Sequence, residues 1–129
     1  DFNTGADAFK IALFKANASI SGTYGAATTN YSDVTGNSDE TSGTGYSSGG
    51  NTLTNVDPTT SGTTAFADFA DTSWTSATFT TRGAIIYNTN DSNSAVMIID
   101  FGADFSVSGG TFTVEFPTAG ASTAILRIA

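Results

Sequence analysis

Apolar residues in this chain return at every second position, in short runs bounded by turn residues. "AFKIALF" (8–14) sets Phe9, Ile11 and Leu13 on one side and Lys10, Ala12 and Phe14 on the other. "TFTVEF" (111–116) sets Phe112, Val114 and Phe116 against Thr111, Thr113 and Glu115, and Pro117 ends it. Side chains of an extended strand alternate between faces, so this spacing describes strands with one buried face. Further runs follow: "TLTNV" (52–56) leading to an Asp57-Pro58 turn, "TAFADFA" (64–70), and "ATFTTRGAIIYN" (77–88), which reads as one strand bent at Gly83 or as two. "AVMIIDFG" (95–102) is almost continuously apolar and is expected at the centre of a sheet, with both faces covered. "NTNDSNS" (88–94) and "SGG" (108–110) read as turns, and "TAILRIA" (123–129) as a closing strand. Seven or eight short strands with close turn signals and no long helix predict an all-β chain. The expected fold is a single-domain antiparallel β-sandwich, or a jelly-roll-like barrel, spanning residues 1–129.

Composition supports the same class and removes several functions. Charged residues make up 12% of the chain, about half the roughly 25% of an average domain. Thr, Ser, Asn and Gly take their place, which favours strands and turns over helices. Net charge is −8, and Lys10, Lys15, Arg82 and Arg127 are the only cations. Phosphate backbones and anionic lipid surfaces both need clustered Lys or Arg, so no direct nucleic-acid or membrane partner is expected. The chain has no cysteine and no histidine, which removes disulfides, thiolate metal sites, the commonest general base and the commonest zinc ligand. No catalytic residue, cofactor or metal is expected. "NTNDSNS" lacks the glycine and bidentate glutamate of an EF-hand calcium loop.

Residues 16–51 differ from the rest. They are rich in Gly, Ser, Thr and Asn, with Tyr24, Tyr31 and Tyr46 spaced through them. The segment reads as a long loop or arm, with a short edge strand possible around Tyr31. Tyrosine gives large contact area at low entropy cost, which makes these three the candidate partner contacts.

"FADFADTSWTSATFTTRGAIIYN" (66–88) holds the single tryptophan, Trp74, together with Arg82, Asp68 and Asp71. Residues three apart on a strand face opposite ways, so Asp68 and Asp71 share a site only if the chain turns between them. The reading is structural. Asp68 faces solvent or pairs with Arg82, Asp71 opens a turn over 71–73, and Trp74 plugs the core with its indole N–H on a backbone carbonyl. Arg82 holds a carboxylate, with Asp68, Asp71 and Asp100 as candidates.

"SGTGYSSGGNTLTNV" (42–56) and "ADFADTSWTSATFTTRGAIIYN" (67–88), with "DAFKIALF" (7–14) and "FTVEFPTAGASTAILRIA" (112–129), resemble small all-β virion proteins of tailed bacteriophages. The run from Trp74 to Asn88 is the most specific part. Members of that group usually carry a short segment ahead of the equivalent of Asp1 and Phe2. The resemblance implies a non-enzymatic structural part of a particle. A capsid decoration (cement) protein on the outer capsid surface is favoured, bound to the major capsid protein or other virion proteins and to copies of itself, with a trimer favoured. A neck, tail or fibre component and a carbohydrate-binding module are the alternatives.

Overall fold

The alternating runs form strands. The computed structural model describes residues 1–128 and contains β1 (Phe9–Phe14), α1 (Ser32–Gly36), β2 (Asn51–Thr52), β3 (Asn55–Ser61), β4 (Thr64–Phe69), β5 (Thr72–Asn88), β6 (Ser94–Val114) and β7 (Leu126–Ile128). The expected all-β class holds. Two antiparallel sheets form, a four-stranded sheet ordered β2-β1-β5-β6 and a three-stranded sheet ordered β3-β4-β7. The arrangement is consistent with a single-domain β-sandwich. Residue 129, the end of the expected closing strand, lies outside the described residues.

Both faces of the first sheet are covered, by different material. On its inner face Phe9, Ile11 and Leu13 of β1 lie beside Ala84 and Ile86 of β5, and Met97 and Ile99 of β6 pack against them. The second sheet and its flanks close this side through Phe69, Leu53 and Phe116. Phe69 meets Phe9 edge-on at 5.5 Å between centroids and Phe116 at 5.8 Å. Phe2 stacks on Phe9 at 4.8 Å. Toward the far end, Trp74, Phe79, Phe112 and Tyr46 form a ring cluster. On the outer face Ala12, Phe14, Ile85 and Tyr87 pack with Val34 of α1, Ile20, Tyr24 and Tyr31. Each large apolar side chain buried in this way contributes about 1.5–3 kcal/mol.

Residues 16–51 are therefore not an arm. They form a packed layer over the sheet, anchored by Val34, which is fully buried. Instead of an edge strand around Tyr31, the segment has isolated bridges (Asn30 to Ser94, Glu40 to Phe14 and Thr44 to Thr78) and the helix α1. After α1 the chain returns alongside β1 and β5, with Lys15 N donating to Asp39 O, Thr41 N to Leu13 O and Thr78 N to Thr44 O.

Four further expectations are corrected. The strands are not uniformly short, because residues 72–88 and 94–114 form one long hairpin. "SGG" does not turn the chain. Ala77 pairs with Gly110 and Thr78 with Ser108, so Gly109 is an extra bulged residue at φ +64°, its N–H held by Thr78 Oγ1. "AVMIIDFG" is not central, since β6 is the edge strand and β5 lies inside the sheet. Asp57-Pro58 likewise sits within β3, where the register shifts between Val56 and Thr59, and the true turn is at 62–63. Such a bulge accommodates proline on an edge strand.

Candidate functional site

The three tyrosines of the long segment are placed by two adjacent carboxylates. Asp39, buried, accepts hydrogen bonds from Ser21 N (2.9 Å), Gly22 N (2.7 Å), Ser21 Oγ (3.1 Å) and Tyr24 OH (2.5 Å). Burial alone would raise its pKa. The bonds from Tyr24, Gly22 and Ser21 outweigh that and hold it below the ordinary carboxylate value. Glu40 accepts from Gly49 N (2.6 Å), Tyr31 OH (2.6 Å), Tyr46 OH (2.8 Å) and Ser48 Oγ (2.9 Å). Tyr46 OH in turn accepts from Leu13 N at 2.9 Å, and Tyr87 OH donates to Gly49 O at 2.8 Å. Tyr31 stacks on Tyr87 with centroids 4.4 Å apart.

Burial, then the hydrogen bond to Asp39, pushes Tyr24 up to about 12. Burial, then Glu40, raises Tyr31 and Tyr46 above the ordinary phenol value. Tyr24, Tyr31 and Tyr46 are thus half-buried, and their hydroxyls are spent inside the chain. They tie the covering layer to the sheet. A carboxylate neighbour is thus present for each hydroxyl of these three candidate contact residues.

The residues of "FADFADTSW" are dispersed. Asp68 is 2% exposed, which corrects the solvent-facing expectation. It sits on β4 in the second sheet, away from the cross-strand neighbours of Arg82. Its Oδ1 accepts from Phe69 N at 2.9 Å, and its Oδ2 has no partner among the described residues. Asp71 accepts from Phe116 N at 2.7 Å. With Ala70 it forms the whole link between β4 and β5, so the chain turns at 70–71 and Thr72 already belongs to the strand. Trp74 is core, at 3% exposure, but its indole N–H has no partner among the described residues, because its neighbours are the rings of Tyr46, Phe79 and Phe112. Arg82 pairs with Asp100, Nε to Oδ1 at 3.0 Å. Gly102 N and then Arg82 hold Asp100 below the ordinary carboxylate value.

What sequence reasoning missed is an apolar groove of about 510 Å³ on the inner side of the β5–β6 hairpin. Met97, Ile99, Phe101, Phe105 and Phe112 of β6 form one wall, and Phe116, Pro117 and Ile125 the other. Phe105 is 47% exposed at its rim, with Glu115 also lining the groove. The signal available in the sequence was the run of Phe101, Phe105, Phe112 and Phe116, more rings than the alternating inner positions of 111–116 require.

The groove holds one carboxylate, no imidazole and no thiol, so it is built to take apolar surface. Among the described residues no three carboxylates or imidazoles cluster as a metal site requires, and no helix is long and apolar enough to cross a membrane. No family model, curated protein or solved structure matches the chain.

Proposed function

We propose that this chain is a non-enzymatic structural protein of a tailed-phage particle, acting as a capsid decoration protein that binds the major capsid protein and copies of itself. The apolar groove carries the reading. A contiguous apolar surface rimmed by an exposed phenylalanine suits a protein contact rather than a reaction. The acidic, cysteine-free composition and the resemblance of residues 7–14, 42–56, 67–88 and 112–129 to phage virion proteins support the same class. Trp74, at 3% exposure, offers no stacking platform for a sugar.

The test is co-sedimentation of the purified protein with capsids assembled without it, followed by counting bound copies. Saturation at many copies per particle, lost in Phe105→Asp, is the expected result. Saturation at a few copies would move the protein to the neck or tail. Absence of particle binding, with binding to a glycan array instead, would overturn the reading.

A further inference from the structure

We propose that the free edge of β6 pairs antiparallel with the same edge of a second copy, about a two-fold axis at Ile98. The inference rests on the assembly reading and names one partner for the surface beside the groove.

The chain's strand edges differ in how open they are. β2 is two residues long. β3 carries Asp57, Pro58 and a register shift, each a device that discourages strand addition. β7 is three residues long. On β6, the first positions are covered, since Ser94 bridges Asn30 and Ala95 N donates to Thr29 O. Val96 is an extra residue between the Ile86–Met97 and Tyr87–Ala95 pairs; from Met97 to Asp100 the strand pairs with β5 in regular register on one side and has no backbone partner on the other among the described residues. Beyond Asp100 the ladder breaks. Gly83 pairs with Asp100 and Thr81 with Phe105, so residues 101–104 lie opposite Arg82 alone. The straight open edge is therefore "MIID" (97–100), three apolar residues and one aspartate, without proline.

Charge selects the occupant. The chain carries −8, so two copies repel over most of their surface. The one charge within 97–100 is Asp100, and Arg82 of the same chain neutralises it at 3.0 Å. This stretch of edge is electrically balanced in an otherwise acidic molecule, which lets a like copy approach. A basic partner would find no net charge to recognise here.

The register follows. Centring on Asp100 sets two carboxylates opposite each other, which opposes pairing. Centring on Ile98 sets Ile98 against Ile98 and Met97 against Ile99, and leaves each Asp100 beside the bulged Val96 of the other copy, with the two carboxylates apart. The two four-stranded sheets become one sheet across the axis. Both grooves then lie on the same face. Such a contact is isologous and closes at two copies, in place of the trimer that the resemblance favours.

The chain's lack of cysteine makes the test clean. Ile98→Cys places one thiol on the axis, and Thr60→Cys places one on exposed β3 as a control. Sedimentation of the unmodified protein is expected to show a dimer. A short bis-maleimide should cross-link the Ile98→Cys protein to dimer and leave the Thr60→Cys protein monomeric. A monomer at all concentrations, or equal cross-linking at both positions, would overturn the pairing. A monomer that still saturates capsids overturns the pairing alone and leaves the particle role standing. A dimer that ignores capsids supports the pairing and removes that role.

Discussion

Glu40 is the residue on which the covering layer depends, and its removal can be worked through donor by donor. Its two oxygens accept from Tyr31 OH, Tyr46 OH, Ser48 Oγ and Gly49 N. In Glu40→Ala the exposed Ser48 hydroxyl and the part-exposed Tyr31 hydroxyl turn to water at little cost. Tyr46 OH and the buried Gly49 N–H cannot. Each stranded buried donor costs about 1–3 kcal/mol, giving a loss of about 2–6 kcal/mol. That is a large share of a total stability on the order of 5–15 kcal/mol. Glu40→Gln should behave differently. Its carbonyl oxygen can still take Tyr46 OH and Gly49 N–H, and its amide can donate to the Tyr31 and Ser48 hydroxyls, so about 1 kcal/mol is expected from the lost charge assistance. Urea unfolding reports both variants through Trp74, the single tryptophan, whose ring lies 6.1 Å from Tyr46. If Glu40→Ala unfolds with a loss under about 1 kcal/mol, or if the Gln variant loses as much as the Ala variant, the tether argument fails.

Other consequences can be checked in the same assay. Gly50 sits at φ +70° with its Cα against the Ile11 carbonyl, so Gly50→Ala should lose about 2–5 kcal/mol from left-handed strain and overpacking together. Arg82→Ala removes an ion pair whose carboxylate is 66% exposed, and equilibrium unfolding should shift by no more than about 1 kcal/mol. The pKa of Asp39 is lowered on folding, so its contribution is present above the unfolded value of about 3.9 and is lost as pH falls through the folded value. Melting temperature should therefore decline below about pH 4, and Asp39→Asn should flatten that decline. Tyr24 is raised to about 12, so its contribution is complete below about pH 10 and disappears as pH rises through 12. Phenolate absorbance in which all four tyrosines ionise together near pH 10 would contradict the hydroxyl–carboxylate pairs.

The fold class was legible because alternation and a low charge content act over the whole chain. Register and strand length were not, because bulges and turns use the same residues. Gly109 and Gly110 look like a hairpin turn in sequence, yet Gly109 is one extra residue inside a continuous ladder. "AVMIIDF" was read as central because both of its faces were expected to be covered. They are partly covered, the outer by the Tyr24 and Tyr31 layer and the inner by the core up to the open groove that Met97, Ile99 and Phe101 line, but apolar faces say nothing about which strands lie to either side. Arg82 found one of its three candidate carboxylates, Asp100, through a hairpin that linear spacing does not reveal. Each tyrosine was visible as a contact residue. That the contact is with Asp39 or Glu40 depends on how residues 16–51 fold back, and polar loops carry no periodic signal to show that.

The central position of β5 has a consequence for the order in which the chain folds. Its partnership with β6 is local, closed by the short turn at 89–93, and such a hairpin forms early. Its partnership with β1 joins Phe9 to Asn88 and Phe14 to Gly83, across most of the chain. The N-terminal strand is synthesised first and is among the last to be seated. Until it docks, Ile85, Ile86 and Tyr87 present an open apolar edge, so dilution and crowding should govern refolding yield more strongly than native stability does.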